Sequence, residues 1–319
     1  MTTLIALAAL AVHVVLMLAL APILVGVIGW TKARLMGRAG PPVVQPWRDL
    51  IRLARKQPVL AENASWLFRA APATAFAATL AAASLVPGFA LGMATAPLAD
   101  LLAIIGLLAL ARCTLVLAGL DTGTAFGGIG GSREMGVSTF AGPAMLLVIF
   151  VLALLTGTSN LDAIALALRE GAVGSLVPLG LALLAMLAVA IAENGRNPAD
   201  NRAALSETGM AHDAMALEYS GRHLALVEAT AALKLLLWLT LIATVFAPFG
   251  TATPDSGLLV WLLALPVWGL KLGVLAAALA LFESAIGGMR VVRVPEFLGL
   301  ALLLGALAAV FLFVRQGLA

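Results

Sequence analysis

The sequence predicts an all-α, polytopic integral membrane protein, a single membrane domain over residues 1–319, and three observations predict it. First, 62% of the 319 residues are hydrophobic and only 11% are charged, with a mean hydropathy of +1.08; a soluble domain of this length cannot hide that much apolar surface. Second, the apolar residues come in unbroken runs of about 20, the length a helix needs to cross a bilayer. Third, these runs do not alternate, as the strands of a membrane β-barrel would. The single cysteine, Cys113, lies inside an apolar run. It excludes an intramolecular disulfide, an iron–sulfur cluster and a zinc site built from cysteines of this chain.

Eight membrane helices are expected, with a cytoplasmic-side amphipathic helix after the first. The first span covers residues 4–30. It starts too near the N-terminus for a basic signal-peptide head, and no small-residue cleavage site follows, so it is kept as a span. A polar loop, residues 31–69, comes next. In its QPWRDLIRLARK stretch, Trp47, Leu50, Ile51 and Ala54 recur at helical spacing, with Arg48, Arg52 and Arg55 on the other side. That pattern is an amphipathic helix lying in the interface plane, either a membrane-surface anchor or a docking surface for a soluble partner. The second and third spans are expected at 71–94 and 97–120. The glycine-rich DTGTAFGGIGGSREMG leads to a fourth at 138–155. A short amphipathic stretch, LDAIALALRE, precedes the fifth at 176–191. The sixth, seventh and eighth are expected at 224–246, 258–282 and 297–314.

Charge orients the bundle. With eight spans, the loops after the odd-numbered helices hold Lys32, Arg34, Arg38, Arg48, Arg52, Arg55, Lys56, Arg69, Arg133, Arg196, Arg202, Arg222, Arg290 and Arg293, against Arg169 and Arg315 on the other side. The positive-inside rule then puts both termini outside the cytoplasm. It puts the acidic segment 193–221 inside. That segment packs Glu193, Asp200, Glu207, Asp213 and Glu218 with Arg196, Arg202 and His212 between two apolar runs.

An ionised side chain at mid-membrane costs about 2.5–3.5 kcal/mol on insertion scales, so each one asks for a partner. Asp100 and Arg112 fall in the third expected span, Glu228 and Lys234 in the sixth, Lys271 and Glu283 in the seventh. Arg112, Lys271 and Glu283 read as snorkelling groups or as ion pairs that hold helices together. Glu228 and Lys234 are deeper and, six residues apart, stand on different faces of a helix. Each is therefore expected to find a partner on another helix or in a hydrated passage. Carboxylates and lysines so placed can pass protons, because burial and neighbours move their pKa values towards the working range. Glu193, Asp200, Glu207, Asp213 and Glu218 would supply the entrance, with a solvated loop and ordinary helix caps as the plainer alternative. The glycine-rich stretch has no GxxxxGK[ST] and no preceding strand, and it carries acids at Asp121 and Glu134, so it is not a phosphate-binding loop. Its glycines let helices approach closely or line a cavity. His13 reads as a packed or interfacial residue. No metal-ligand spacing and no Ser–His–Asp signature is present.

Three ordered motifs resemble one family. Arg38, Gly40, Pro41, Gln45, Pro46 and Asp49 carry an RxGP…QPxxD pattern. Glu193, Arg196, Pro198 and Asp200 carry AExxRxPxD. Glu218, Tyr219, Ser220 and Gly221 carry EYSG. With the helix count, these resemble the heel subunit of respiratory complex I, which joins the membrane arm to the hydrophilic arm. ENASWLFRAAP, LDTGTAFGGIGGSREM and MRVVRVPEFL are more similar to the membrane subunits of group 4 [NiFe] hydrogenases of the formate hydrogenlyase type. The chain departs from the complex I pattern at Gly130 and at Val137-Ser138-Thr139, and its NRAALSE stretch keeps chiefly Glu207 of a more acidic loop. It departs from the hydrogenase branch at Gln57.

The resemblance implies a membrane anchor and coupling subunit in a bacterial inner membrane, not itself catalytic. Soluble large and small hydrogenase-type subunits and a ferredoxin-like subunit would dock on its cytoplasmic face. They would carry the iron–sulfur clusters and the nickel–iron site; this chain would hold no cofactor. Antiporter-like membrane subunits would move protons or sodium. Glu193, Asp200, Glu207, Asp213, Glu218, Glu228, Lys234 and Glu134 are the expected coupling path. Arg38, Gln45, Arg48, Asp49, Arg52, Arg55, Lys56 and Arg196 are the expected docking residues. The alternatives are a quinone-binding heel subunit of a complex I-type dehydrogenase and a stand-alone secondary transporter. The absence of a repeat between the two halves speaks against the last.

Overall fold

The structure, a computed structural model, describes residues 2–61, 63–171, 176–196, 215–253, 256–286 and 294–318. Ten α-helices are described: α1 (Thr2–Leu35), α2 (Gln45–Ala54), α3 (Trp66–Leu85), α4 (Leu101–Asp121), α5 (Ala125–Thr156), α6 (Leu161–Arg169), α7 (Leu176–Glu193), α8 (Gly221–Phe246), α9 (Leu258–Ile286) and α10 (Val294–Leu318). There is no strand among the described residues, only two isolated bridges, Ala90 with Ala252 and Asp100 with Asn160. The protein is all-α and multi-pass. By length and composition, six described helices can cross a membrane: α1, α4, α5, α8, α9 and α10. α7 is apolar but shorter, and the alanine-rich α3 is not among the six. Each of the eight expected runs is nonetheless a helix, and the count of eight crossings remains a sequence expectation.

The bundle is built around α8. From Leu235 to Val245 every residue of α8 is buried, and α8 packs on α1, α2, α3, α6, α7 and α9. α3 and α4 pair as neighbours, and α5, α7 and α10 form a second group. Both groups close on one apolar core that includes Met17, Ile104, Met145, Met186 and Leu236. Prolines sit inside α1 (Pro22), α3 (Pro72), α5 (Pro143) and α9 (Pro266); membrane helices tolerate these because neighbours satisfy the freed backbone groups.

Helix ends differ from the sequence expectation, and capping explains how. α3 starts at Trp66 rather than 71 because Ser65 caps it, accepting from the Leu67 N–H. It stops at Leu85, before Val86-Pro87-Gly88, rather than at 94. α4 starts at Leu101, with Asp100 as its N-cap accepting from the Leu102 N–H at 2.7 Å and from the Ser159 hydroxyl at 2.7 Å. Asp100 is thus a capping group and not a mid-membrane charge. α5 begins at Ala125 and takes in the glycine-rich stretch from there on, capped by the Thr124 hydroxyl and closed by Gly157 in the left-handed region. Gly127 is required there, since a Cβ on it would lie 2.2 Å from the Gly119 carbonyl oxygen. LDAIALALRE is α6, capped by Asn160.

Lys271 reaches the end of α8 to donate to the carbonyls of Ala247, at 2.6 Å, and Phe249, contacts with backbone oxygens rather than an ion pair. There it caps the negative end of the helix dipole. At the same pole Arg169 donates to the Thr251 carbonyl. At the opposite pole the C-terminal ends of α1, α7 and α9 meet, through Lys32, Arg196 and Glu283.

Candidate functional site

Four helices bring four charges together inside the bundle. The carboxylate of Glu193, the last residue of α7, is ion-paired with the Arg112 guanidinium of α4 and, at 3.1 Å, with the Lys234 ammonium of α8. Arg112 Nε lies 3.7 Å from the Glu134 carboxylate on α5. Arg112 also donates to the Ser138 hydroxyl, one turn along α5, at 2.6 Å. Side-chain exposures are 4% for Glu193, 9% for Arg112 and Glu134, and 15% for Lys234. Among the described residues, two cations thus face two anions.

That balance decides whether the cluster can exist. Each ion loses several kcal/mol of hydration on burial, while a pair at this separation recovers about 5 kcal/mol at an effective dielectric of about 20. The sum is near break-even, so the network adds little stability. Removing one member, however, leaves a buried charge uncompensated.

Arg112, Glu134 and Lys234 of the network line a cavity of about 580 Å³. Arg112, Glu134, Asn194, Arg196, Glu228 and Lys234 give it a polar side. Pro22 and Val25 of α1, Pro46 and Leu50 of α2, and Met215 and Leu217 give it an apolar one. Arg196 continues the charge chain away from the network, pairing at 2.5 Å with Glu283, which also binds Lys32 at 2.6 Å. Glu228 lines the cavity and is exposed, so it is not the deep charge that its position in an apolar run suggests. Its separation from Lys234 is as expected, for Lys234 pairs with Glu193 instead.

α2 forms as expected and lies against α1 and α8. Its Trp47 indole N–H donates to the Ala19 carbonyl, in the turn just before Pro22. Arg48, Arg52 and Arg55 are exposed, as are Arg38 and Lys56. Ile51 is exposed too, at 46%, while Leu50 and Pro46 face the cavity. Asp49 accepts from Gln45 at 3.2 Å and pairs with Arg52 at 3.1 Å. Arg196 belongs with the cavity and not with this arginine face. Glu218 lies apart from the network, accepting from the Thr124 hydroxyl at 2.6 Å. Next to it, burial and, less strongly, the Asp121 charge push the Tyr219 hydroxyl well above the usual phenol range. It remains a neutral donor, to the Phe68 carbonyl at 3.2 Å. Asp200, Glu207 and Asp213 lie outside the described residues.

Sequence reasoning treats Arg112 and Glu283 as snorkelling or structural charges and does not single out Ser138 or Asn194. The available signal is position, since Arg112 falls near the midpoint of α4. Among the described residues, no group of three His, Cys, Asp or Glu side chains is placed to hold a metal ion.

Residues 7–314 match the family described as NADH dehydrogenase. The chain is 32% identical over 286 residues to formate hydrogenlyase subunit 4 of Escherichia coli (strain K12), covering 89% of this chain and 92% of that one. It is 32% identical over 297 residues to hydrogenase-4 component C of the same strain, covering 93% of each. Its fold is that of a chain in the membrane-bound sulfane sulfur reductase, an archaeal respiratory membrane complex, with a TM-score of 0.76 and 21% identity over 95% of this chain and 98% of that one. The resemblance read from the three motifs therefore holds, and the chain belongs to the NADH dehydrogenase family, in the company of hydrogenase-complex membrane subunits.

Proposed function

We propose that this chain is the membrane anchor and coupling subunit of an energy-converting [NiFe] hydrogenase of the formate hydrogenlyase type, in a bacterial inner membrane. The observation that carries the reading is the buried Arg112–Glu134–Glu193–Lys234 network, three members of which line a cavity. The 32% identity to two hydrogenase-complex subunits supports the choice of complex. Soluble large and small hydrogenase-type subunits and a ferredoxin-like subunit dock on the face formed by Arg38, Gln45, Arg48, Asp49, Arg52, Arg55 and Lys56. Those partners hold the iron–sulfur clusters and the nickel–iron site. A charge change in the docked arm alters the field at Glu193 and its neighbours, and a unit charge nearby is worth a few kcal/mol at intermediate dielectric. Glu193 then changes its pairing or its protonation, and Glu134, Glu228 and Lys234 pass the change towards antiporter-like membrane subunits, which move protons or sodium. Asp200, Glu207, Asp213 and Glu218 serve as the cytoplasmic entrance, and Arg196 joins the cavity to Glu283.

The test uses the assembled complex in sealed vesicles. Glu193→Gln is expected to assemble and to transfer electrons while translocating few or no ions. Full ion pumping by that variant would reject the coupling role. Reversing Arg48, Arg52 and Arg55 to Glu is expected to release the soluble arm, and normal co-purification of that arm would reject the docking role.

The cavity favours a second reading. Its size and its mainly apolar lining, Pro22, Val25, Pro46 and Leu50 among it, with a few polar groups, suit a ligand chamber. In that reading the chain is a quinone-binding heel subunit of a complex I-type dehydrogenase. Quinone that co-purifies with the complex and is displaced by quinone-site inhibitors would select it.

A further inference from the structure

Four consecutive residues, Glu218 to Gly221, fasten the start of α8 to different parts of the chain. Glu218 accepts from the hydroxyl of Thr124, which also caps α5. Tyr219 stacks on Phe68 of α3 with ring centroids 4.2 Å apart and planes 8° from parallel, and it donates to the Phe68 carbonyl. The Ser220 hydroxyl accepts from the Val59 N–H at 2.7 Å and donates to the Val59 carbonyl at 3.1 Å, so one side chain meets both polar backbone groups of that residue. Gly221 has φ +53°, and a Cβ on it would lie 2.5 Å from the Gln57 carbonyl oxygen and 2.8 Å from that of Lys56. Glycine alone allows the two backbones to approach this closely.

The partner in the last two contacts is the segment after α2, where Arg55, Lys56, Gln57, Val59 and Ala61 are exposed. The other side of the turn is α8 itself, which begins at Gly221 and carries Lys234 about 20 Å along its axis. α8 is almost wholly buried beyond Lys234, so it cannot absorb a push at its start by bending freely into solvent. Packed helices shift as units between discrete arrangements. The Lys234–Glu193 contact is 3.1 Å, and a shift of about 1 Å takes such a contact out of hydrogen-bond range.

We propose that the Glu218–Gly221 turn is a mechanical link by which displacement of segment 55–61 reaches the Lys234–Glu193 ion pair. The proposal rests on the reading that a soluble partner docks on this face and that Glu193 couples; it adds the route between the two. Ser220 and Gly221 are positioning residues in it. Their described contacts are with Lys56, Gln57 and Val59 and not with the network.

The test compares Ser220→Ala and Ser220→Thr with Glu193→Gln in the assembled complex in sealed vesicles, measuring electron transfer and ions moved per electron pair. Ser220→Ala is expected to keep its electron-transfer rate while the translocation ratio falls several-fold, and Ser220→Thr, which keeps the hydroxyl, is expected to restore it. An unchanged ratio in Ser220→Ala, with a lowered one in Glu193→Gln, overturns the link alone; unchanged ratios in both overturn the coupling reading as well. Should Ser220→Ala fail to assemble, amide exchange of the wild-type complex decides. With and without the soluble arm, residues 56–61 and the first two turns of α8 are expected to change protection together. A change confined to 56–61 overturns the link.

Discussion

Arg112→Ala is the perturbation that most directly exposes the balance of the buried network. Arg112 is paired with Glu193, lies 3.7 Å from Glu134 and holds the Ser138 hydroxyl at 2.6 Å, with 9% of its side chain exposed. Without it Glu193, 4% exposed, keeps the Lys234 ammonium but loses its guanidinium partner, and Glu134 loses the cation 3.7 Å away. Breaking a buried pair in this way costs about 3–5 kcal/mol. Lys234 remains 3.1 Å from Glu193 and offsets part of the loss, which places the expected cost near the lower end, about 3 kcal/mol. At roughly 2 °C per kcal/mol for a chain of this size, the unfolding midpoint falls by about 6 °C. The assay is thermal unfolding of the purified protein in detergent, followed by tryptophan fluorescence. Arg112→Ala with Glu193→Ala removes both members of one buried pair, so the double variant is expected to lose less than the sum of the two single losses. A loss below about 1 kcal/mol for Arg112→Ala, the scale of an exposed pair, or strict additivity in the double variant, would refute the reasoning.

Two further outcomes are expected. Gly127→Ala places a methyl 2.2 Å from the Gly119 carbonyl oxygen, so α4 and α5 must separate; a cost of about 1–3 kcal/mol is expected, read as a lower unfolding temperature, and an unchanged one would mean that the two helices do not meet there. Asp162, which accepts from the Gly92 N–H at 2.6 Å, has its carboxyl held above the usual carboxylate range by burial, with that hydrogen bond acting in the opposite direction. Its folded pKa therefore exceeds the unfolded one, and its contribution to stability is greatest below about pH 4 and is lost as the pH rises through the folded value. Asp162→Asn keeps an acceptor for Gly92 and is expected to flatten that part of the slope, measured as unfolding temperature against pH in variant and wild type; an identical slope in both would rule out this carboxyl as its source.

The eight apolar runs were legible because hydrophobicity over about 20 residues is a strong signal that needs no tertiary context. α2 was legible for the same kind of reason, its arginines recurring on one face. The ends were not. Asp100 and Thr124 cap helices from positions that look like span interior and glycine loop, because a single capping side chain decides where a helix begins. The glycine-rich stretch is helical since packing against α4 rewards small residues, as at Gly127 and Gly119. At the site, Glu193, Lys234 and Arg112 all stand out as charges in apolar surroundings, and a helix-holding ion pair is one of the two readings Arg112 invites, but its partners are not legible. Its role depends on four helices converging, and spacing within one helix carries no information about that. Glu228 erred in the other direction, since a charge in an apolar run looks buried unless the cavity beside it is known. Lys271 was read as a snorkelling group, and its carbonyl partners at the end of α8 emerge only from the packing of α9.

The most direct measurement is the redox-induced infrared difference spectrum of the assembled complex, comparing wild type with Glu193→Gln and Glu134→Gln. If the network answers to the docked arm, reduction of the arm produces a carboxyl signal from a changed protonation or environment, and one of the two variants removes it. Identical difference spectra in the wild type and both variants would mean that these buried carboxylates do not respond to electron transfer.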